Sequence, residues 1–278
     1  MKSAMTRKLN QKEIQAFQTT IWDYYHTNGR KLPWRETSNP YLIFVSEVML
    51  QQTLVPTVLK KYPAFISRFP TFQDLAEAPF SDLLRLWKGL GYNRRALNLQ
   101  KSSQIIVEKF NGELPRTVEE LDELPGIGNA TACSIIAFAF NLPVVFIETN
   151  IRRVYIHHFL NQKDNIPDSE IIPFVEKTLD TKNVREWYWA LMDYGSYLAK
   201  IVPNPNRKSR HYNRQSTFAG SDRQIRGQIL SLLLESNPYS KKKIMKSLNQ
   251  DPDRITEILM DLEKDHMIKI KGSRIELP

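Results

Sequence analysis

A short amphipathic stretch, a Pro-Gly-Ile-Gly turn and a wholly apolar stretch follow one another from Thr117 to Phe140, and this junction constrains the fold more than any other part of the chain. Thr117 and Glu120 make a capping box, and Val118, Leu121 and Leu124 recur at helical spacing, so a first helix runs up to Pro125, which ends it. Gly126 and Gly128 bracket Ile127 and let the backbone turn tightly with φ above zero, while Ile127 plugs inward. A second helix starts near Asn129, read as its N-cap. The result is a helix-hairpin-helix. Its free backbone N–H groups, at the positive end of the second helix, suit a phosphate oxygen or a monovalent cation bridging to one. The same turn also joins ordinary packed helices, so both readings stay open from these residues alone.

With 278 residues and 41% apolar content, the chain is long enough to bury a full core in one large or two to three small domains. An excess of 39 Lys and Arg over 30 Asp and Glu favours a polyanionic partner. The single cysteine, Cys133, lies in the second hairpin helix; it excludes an intramolecular disulfide and leaves no Cys set for zinc or an iron–sulfur cluster. No stretch reaches the length of a membrane span and MKSAMTRK has no apolar leader core, so the expected location is the cytoplasm, at the nucleoid.

In chain order, Asn10 and Glu13 cap a helix carrying Ile14, Phe17, Ile21, Trp22 and Tyr25, which stops at Asn28-Gly29. Asn39-Pro40 starts a second, almost wholly apolar helix that holds Glu47. A carboxylate there is either paired or set at an internal cleft, because burying it alone costs several kcal/mol. Gln51 and Gln52 end that helix, and a third runs from about Pro56 to Arg68. Thr71 and Ser81 read as caps of two short helices. Lys88-Gly-Leu-Gly-Tyr92 breaks the pattern before Arg94 to Phe110. Arg94 and Arg95 oppose the dipole of that helix start, which a bound phosphate or a solvated face would explain. Beyond Pro143, an extended run delivers Glu148-Thr149-Asn150 to a helix start, where a carboxylate also serves as a simple cap. Two further helices span about Asp168 to Leu179 and Val184 to Leu198. From Lys200 to Arg214, five basic residues and no acid form an irregular linker suited to a phosphate backbone. Residues 222–278 read as three helices and a hairpin, in winged-helix order with Gly272 at the wing tip; their eleven basic and nine acidic residues leave DNA and protein contact equally open. The fold class is all-α with a small C-terminal appendage.

Several motifs carry a resemblance: LPWR at Leu32, NPYLIFVSEVMLQQT from Asn39, WKGLGYNRRALNL from Trp87, ELPGIGNATA from Glu123, ETNIRRV from Glu148 and LMDYG from Leu191. Over about residues 10–200 the chain resembles the helix-hairpin-helix DNA glycosylases, and among them the MutY adenine glycosylases; FAGSDRQIRG from Phe218 is similar to the tail joint of some short MutY proteins. The resemblance implies a two-lobed helical fold. Residues 1–199 would form the glycosylase domain, with a six-helix barrel over about 39–141 and a second lobe from 1–38 and 148–199. Residues 200–221 would be the basic linker and 222–278 the winged-helix-like domain. It also implies a monomer acting on double-stranded DNA that holds a mismatched or damaged base.

Base removal passes through an oxocarbenium-like state, so the base must be protonated and the sugar's charge stabilised. By resemblance, Glu47 protonates adenine mispaired with G or 8-oxoguanine, Glu148 stands at the family's sugar-side aspartate and Asn150 orients it. The base is flipped out of the duplex, and Gln52 matches the residue that fills the vacated stack. Gln51, Tyr92, Asn93, Arg94, Leu124, Gly126, Ile127, Gly128 and Asn129 fall on the DNA-side motifs, with Arg207, Lys208 and Arg210 in the linker. The departures are informative. The family's four cluster cysteines are absent after LMDYG, so no iron–sulfur cluster and no metal is expected, with the linker as structural substitute. Position 148 is Glu instead of Asp, Asn93 replaces a second tyrosine, and Ala130 replaces the lysine of bifunctional relatives, so the expected enzyme is monofunctional. The 8-oxoguanine-reading domain of longer MutY proteins has no counterpart, which leaves that preference open. Two alternatives stand beside the adenine reading: a glycosylase for uracil or thymine opposite G or for a deaminated purine, and a catalytically silent DNA-binding protein.

Overall fold

The computed structural model describes residues 9–214 and 217–278. In chain order its helices are α1 (Gln11–Asn28), α2 (Pro40–Leu50), α3 (Val55–Arg68), α4 (Phe72–Glu77), α5 (Phe80–Trp87), α6 (Arg94–Phe110), α7 (Val118–Asp122), α8 (Asn129–Phe140), α9 (Thr149–Phe159), α10 (Asp168–Thr178), α11 (Val184–Ile201), α12 (Asp222–Glu235), α13 (Lys241–Leu248) and α14 (Pro252–Lys264). Three short strands, β1 (Tyr239–Ser240), β2 (Lys269–Lys271) and β3 (Arg274–Glu276), complete the described part. No helix among the described residues is long and apolar enough to cross a membrane.

The chain forms two compact units. The first takes the described residues up to Phe44, then Arg116–Glu123 and Ile127–Arg214. Its core is built by α1, α9, α10 and α11 around Phe17, Ile21, Tyr155, Phe174, Trp187 and Tyr188, all buried. Of the aromatic residues of α11, Trp187, Tyr188 and Trp189 are therefore core, whereas Tyr197 is exposed. Helix α1 is set by the expected reciprocal cap: Glu13 N donates to Asn10 Oδ1 at 3.0 Å and Asn10 N to Glu13 Oε2 at 2.9 Å. A buried carboxylate ties the start of this unit to its end. Asp193 on α11 accepts two bonds from the Arg35 guanidinium, both at 2.9 Å, and one from the Arg30 side chain at 2.7 Å. Burial by itself would raise the Asp193 pKa, but the two guanidinium groups and the Arg30 N–H outweigh it and hold the carboxyl below its usual range. Removing one partner from such a buried pair costs about 3–5 kcal/mol.

The second unit comprises Val45–Pro115, Leu124–Gly126 and the described residues beyond Arg214. Phe65, Phe69, Leu75, Leu83 and Trp87 pack α3, α4 and α5 onto α6. Helix α6 stops at Asn111, whose φ of +53° is the left-handed close expected at Asn-Gly. The last part is winged-helix-like: α12, β1, α13 and α14 lead into the hairpin β2–β3, and the antiparallel sheet has the order β1-β3-β2. Strand β1 has too few residues to show alternation and is not legible in the sequence. The hairpin's first strand starts at Lys269 instead of Met267: pairing begins at Lys269 opposite Glu276, and Met267 and Ile268 before it are buried. Ser81 is not a cap. Pro79, extended at ψ 130°, precedes the first residue of α5, and Ser81 falls inside the first turn.

Candidate active site and nucleic-acid interface

Thr117 caps α7 as read, accepting from Glu120 N at 3.3 Å. The hairpin differs from expectation in two ways. Only Gly126 takes a positive φ, +79°, and a Cβ there would lie 2.6 Å from the Asn98 amide nitrogen, so glycine is required at that position. Gly128 is extended at φ −101° with nothing near its missing Cβ, and it is itself the N-cap of α8, which puts Asn129 at the first helical position. No side chain caps this helix start, so its first N–H groups face outward with Gly128, Asn129 and Ala130 exposed. Leu124 and Ile127 are buried and hold the turn from beneath. Gln51 reaches the turn from the end of α2, its Nε2 donating to Gly126 O at 3.1 Å, and Ser102 Oγ donates to Pro125 O at 3.0 Å.

Arg95 is not the phosphate ligand that its place at a helix start suggests. Its guanidinium is buried and donates to six acceptors: Val48 O, Met49 O and Gln51 O at 2.7–2.9 Å, Thr53 Oγ1 at 2.9 Å, and Leu90 O and Gly91 O at 3.0–3.1 Å. Burial pushes its pKa down to about 10, which leaves it charged at neutral pH. One side chain thereby fastens two turns, Gln51–Leu54 and Leu90–Tyr92. The first presents Gln52, exposed at φ +51°, and Leu54, 77% exposed. The second presents Tyr92 at φ +46° and Asn93, both half-buried. Arg94 is exposed and pairs with Asp265 at 3.2 Å. Glu47 is half-buried on α2 between the buried Ser46 and Val48.

In the first unit, Glu148 is the N-cap of α9. Its Oε1 accepts from Asn150 N at 2.7 Å and Ile151 N at 2.9 Å, and its Oε2 from Asn150 Nδ2 at 3.2 Å. Asn150 is oriented in turn by Arg153, whose Nη1 donates to Asn150 Oδ1 and to Gly195 O, both at 2.8 Å. Burial pushes the Glu148 carboxyl up, opposed by the two backbone N–H groups and by Arg153 and Arg152. Gly195, the glycine of LMDYG, has a reason to be there: a Cβ would sit 2.8 Å from Asn150 Cβ and 2.9 Å from its carbonyl carbon. The basic segment is not an irregular tether. Pro205–Lys208 is a 3-10 turn, with Pro205, Asn206 and Ser209 buried. Asn206 Nδ2 donates to Thr149 O at 2.9 Å, Arg153 Nε donates to Asn204 Oδ1 at 3.4 Å, and Arg210 N donates to Ile166 O at 2.9 Å. Lys208 bonds Asn161 O, while Arg207 and Arg210 are exposed.

The sequence reading missed Arg95 as a clamp, Gly195 as a close approach, Asn204 and Asn206 as supports of α9, and Arg223, which meets Tyr92. The motifs GYNRR, LMDYG and FAGSDRQIRG contain three of these positions without revealing their partners. An iron–sulfur cluster, which this fold family often carries, does not fit: the one cysteine, Cys133, is buried in α8. Among the described residues no three His, Cys, Asp or Glu side chains come together as a metal site.

Residues 45–176 match the HhH-GPD superfamily of base excision DNA repair proteins. An adenine DNA glycosylase of Buchnera aphidicola (subsp. Baizongia pistaciae) is 40% identical over 191 residues, 68% of this chain and 54% of that protein, so the chain spans about half of that relative's length. An adenine DNA glycosylase of Mycobacterium tuberculosis is 32% identical over 238 residues, 77% of each chain. A solved structure of a thermostable thymine-DNA glycosylase matches with a TM-score of 0.61 at 26% identity, covering 66% of this chain and 87% of that one. The helical fold, the hairpin and the Glu148–Asn150 helix start thus sit in a chain that belongs to the HhH-GPD superfamily of base excision DNA repair proteins, among the adenine DNA glycosylases.

Proposed function

We propose that the chain is a monofunctional DNA N-glycosylase that removes adenine mispaired with G or 8-oxoguanine from double-stranded DNA. The observation that carries this reading is that the stretch matched to the repair superfamily contains both carboxylates the chemistry needs, Glu47 and Glu148. Glu47, as the acid, gives its proton to the adenine ring as the C–N bond breaks. Glu148, as carboxylate, faces the sugar cation; water then supplies the hydroxyl that ends on the sugar carbon, and the proton it releases restores the acid form of Glu47. A desolvated carboxylate suits the second role, because it gains more from the developing positive charge than from anything present before reaction. Asn150 keeps that carboxylate in place through its backbone and side-chain N–H groups.

The DNA-side assignments follow. Gly126, Gly128 and Asn129 present backbone N–H groups to a phosphate, or carbonyl oxygens of the turn hold a monovalent cation that bridges to it, with Leu124 and Ile127 as internal support. Gln51 sets the hairpin, Gln52 fills the space left by the flipped base, and Tyr92, Asn93 and Arg94 meet the duplex. Arg207, Lys208 and Arg210 line the phosphate path. We read 1–199 as the glycosylase domain, 200–221 as the linker and 222–278 as the winged-helix-like domain, working as a monomer without a cluster. A second reading, removal of thymine or uracil opposite guanine, draws on the likeness to a thymine-DNA glycosylase and on Glu in place of Asp at 148. A panel of duplexes carrying single mismatches or lesions, incubated with protein and then with alkali, decides between them. Strand scission at adenine opposite G or 8-oxoguanine is expected; scission only at thymine, uracil or deaminated purines selects the second reading, and none at all leaves a binding protein.

A further inference from the structure

The turn from Lys88 to Asn93 is an uncommon conformation. Gly89, Gly91 and Tyr92 have φ of +98°, +74° and +46°, and a tyrosine in the left-handed region persists only where its surroundings over-determine it. Arg95 supplies one hold, with its guanidinium carbon 5.7 Å from the Tyr92 ring centroid. The other comes from the C-terminal part of the chain. On α12, the Arg223 guanidinium carbon lies 5.5 Å from the same ring, and its Nη1 donates to the Tyr92 hydroxyl at 2.6 Å. At the start of α6, Arg94 pairs with Asp265, the residue that closes α14, and Arg226 of α12 pairs with the same carboxylate. The winged-helix-like domain therefore grips the C-terminal end of this turn at two points, Tyr92 and the adjoining Arg94. Tyr92, Asn93, Arg94, Arg223 and Arg226 edge a cavity of about 1220 Å³.

We propose that the C-terminal domain is a working part of the DNA-reading turn: Arg223 is a positioning residue that fixes Tyr92 in the conformation that meets the duplex, and Asp265 holds the start of α6, directly after the turn, through Arg94. The inference rests on the assignment of Tyr92 to DNA made above. Its chemistry is specific to this pair. A guanidinium over an aromatic face and a bond to the phenol oxygen together restrict both side-chain torsions of Tyr92, so its ordering cost falls on folding and not on binding.

The test is a double-mutant cycle in the full chain, with wild type, Arg223→Ala, Tyr92→Ala and the double variant compared by duplex anisotropy and by base release. Duplexes carry adenine opposite G and opposite C. Arg223→Ala is expected to weaken duplex affinity and to lower the preference for adenine opposite G, each by about tenfold, whereas in the Tyr92→Ala background it changes either by less than about twofold. Arg223→Lys, which keeps a donor, recovers part of the loss. Equal losses in both backgrounds would mean that Arg223 acts directly on DNA and would overturn the proposal; so would no loss in either. If Arg223→Ala lacks a cooperative melt, Arg223→Gln replaces it in the cycle. If wild type releases no base from any duplex, the proposed function fails and the coupling is read from anisotropy alone.

Discussion

Replacing Gly195 by alanine adds one methyl group where α11 meets the first turn of α9. The new carbon would stand 2.8 Å from Asn150 Cβ and 2.9 Å from Asn150 C. Carbon atoms rest at about 3.5–4.0 Å, so one helix must give by about 1 Å. The neighbour is mostly backbone and cannot swing away as a flexible side chain would. The displaced residue carries two of the donors that hold the Glu148 carboxylate, so the strain reaches the group assigned to the sugar cation. Overpacking costs about 1–3 kcal/mol, which lowers the melting temperature by about 2–12 °C for a domain of this size. A protein of ordinary stability, about 5–15 kcal/mol, remains folded after that loss, so unfolding does not account for a change in rate at 20 °C. A shift on the order of 1 Å at the reacting centre, by contrast, costs about 10²-fold. Single-turnover base release under enzyme excess, beside thermal melting, separates the two effects. Gly227→Ala is the control, since nothing lies within 4 Å of its missing Cβ. If Gly195→Ala released adenine within about threefold of wild type, the link from LMDYG through Asn150 to Glu148 would be wrong.

Glu47→Gln is expected to bind the mismatched duplex and to lose about 10²–10⁴-fold in base release; near wild-type release would remove Glu47 from the acid role. Glu148→Gln should lose most activity with binding kept, while Glu148→Asp retains part or gains, and neither acquires lyase activity; a Gln variant as fast as wild type would make Glu148 a helix cap alone. Replacing Arg207 and Arg210 together by Ala should reduce the slope of log K against log salt by about 1.8, and an unchanged slope in anisotropy titrations would take the exposed linker cations off the DNA. Burial, with His157 beside it, pushes the His158 imidazole down to about 4 from 6.5. The unfolded chain therefore binds a proton that the folded chain does not. Stability is full above about pH 6.5 and falls towards pH 4, by about 2 kcal/mol between pH 7 and pH 5. Urea unfolding at the two pH values should show that loss, and His158→Gln should flatten it.

What was legible in the chain was local. Reciprocal caps such as Asn10–Glu13, the left-handed close at Asn111 and the approach to Glu148 are decided within a few residues, and the helices they bound appear where the sequence puts them. The misreadings at Ser81 and Asn129 have one cause. A polar residue within the first two helical positions looks like a cap in the residue string, but the extended cap conformation was taken one or two residues earlier, by Pro79 and Gly128. Residues whose partners lie far along the chain were not legible as to role. Arg95 looked like a phosphate ligand because its acceptors, up to 47 positions away, are backbone carbonyls with no signature in the residue string. Gly195 and Asn206 were hidden for the same reason, since a close approach or a bond to a main-chain oxygen leaves no pattern at either site. Motif likeness marked the neighbourhoods of Arg95 and Gly195, though not of Asn206, and the fold supplied the reason for each.

The Arg95 clamp has a mechanical consequence. Because a single guanidinium bonds carbonyls from both the Gln51–Leu54 and the Leu90–Tyr92 turns, the two cannot drift apart without breaking several bonds to one buried cation. They behave as the two prongs of one fork. On the proposed reading, in which Gln52 and Tyr92 meet the duplex, DNA would be met at two points of fixed spacing. Lysine, a point charge with three donors, could hold one prong but not both.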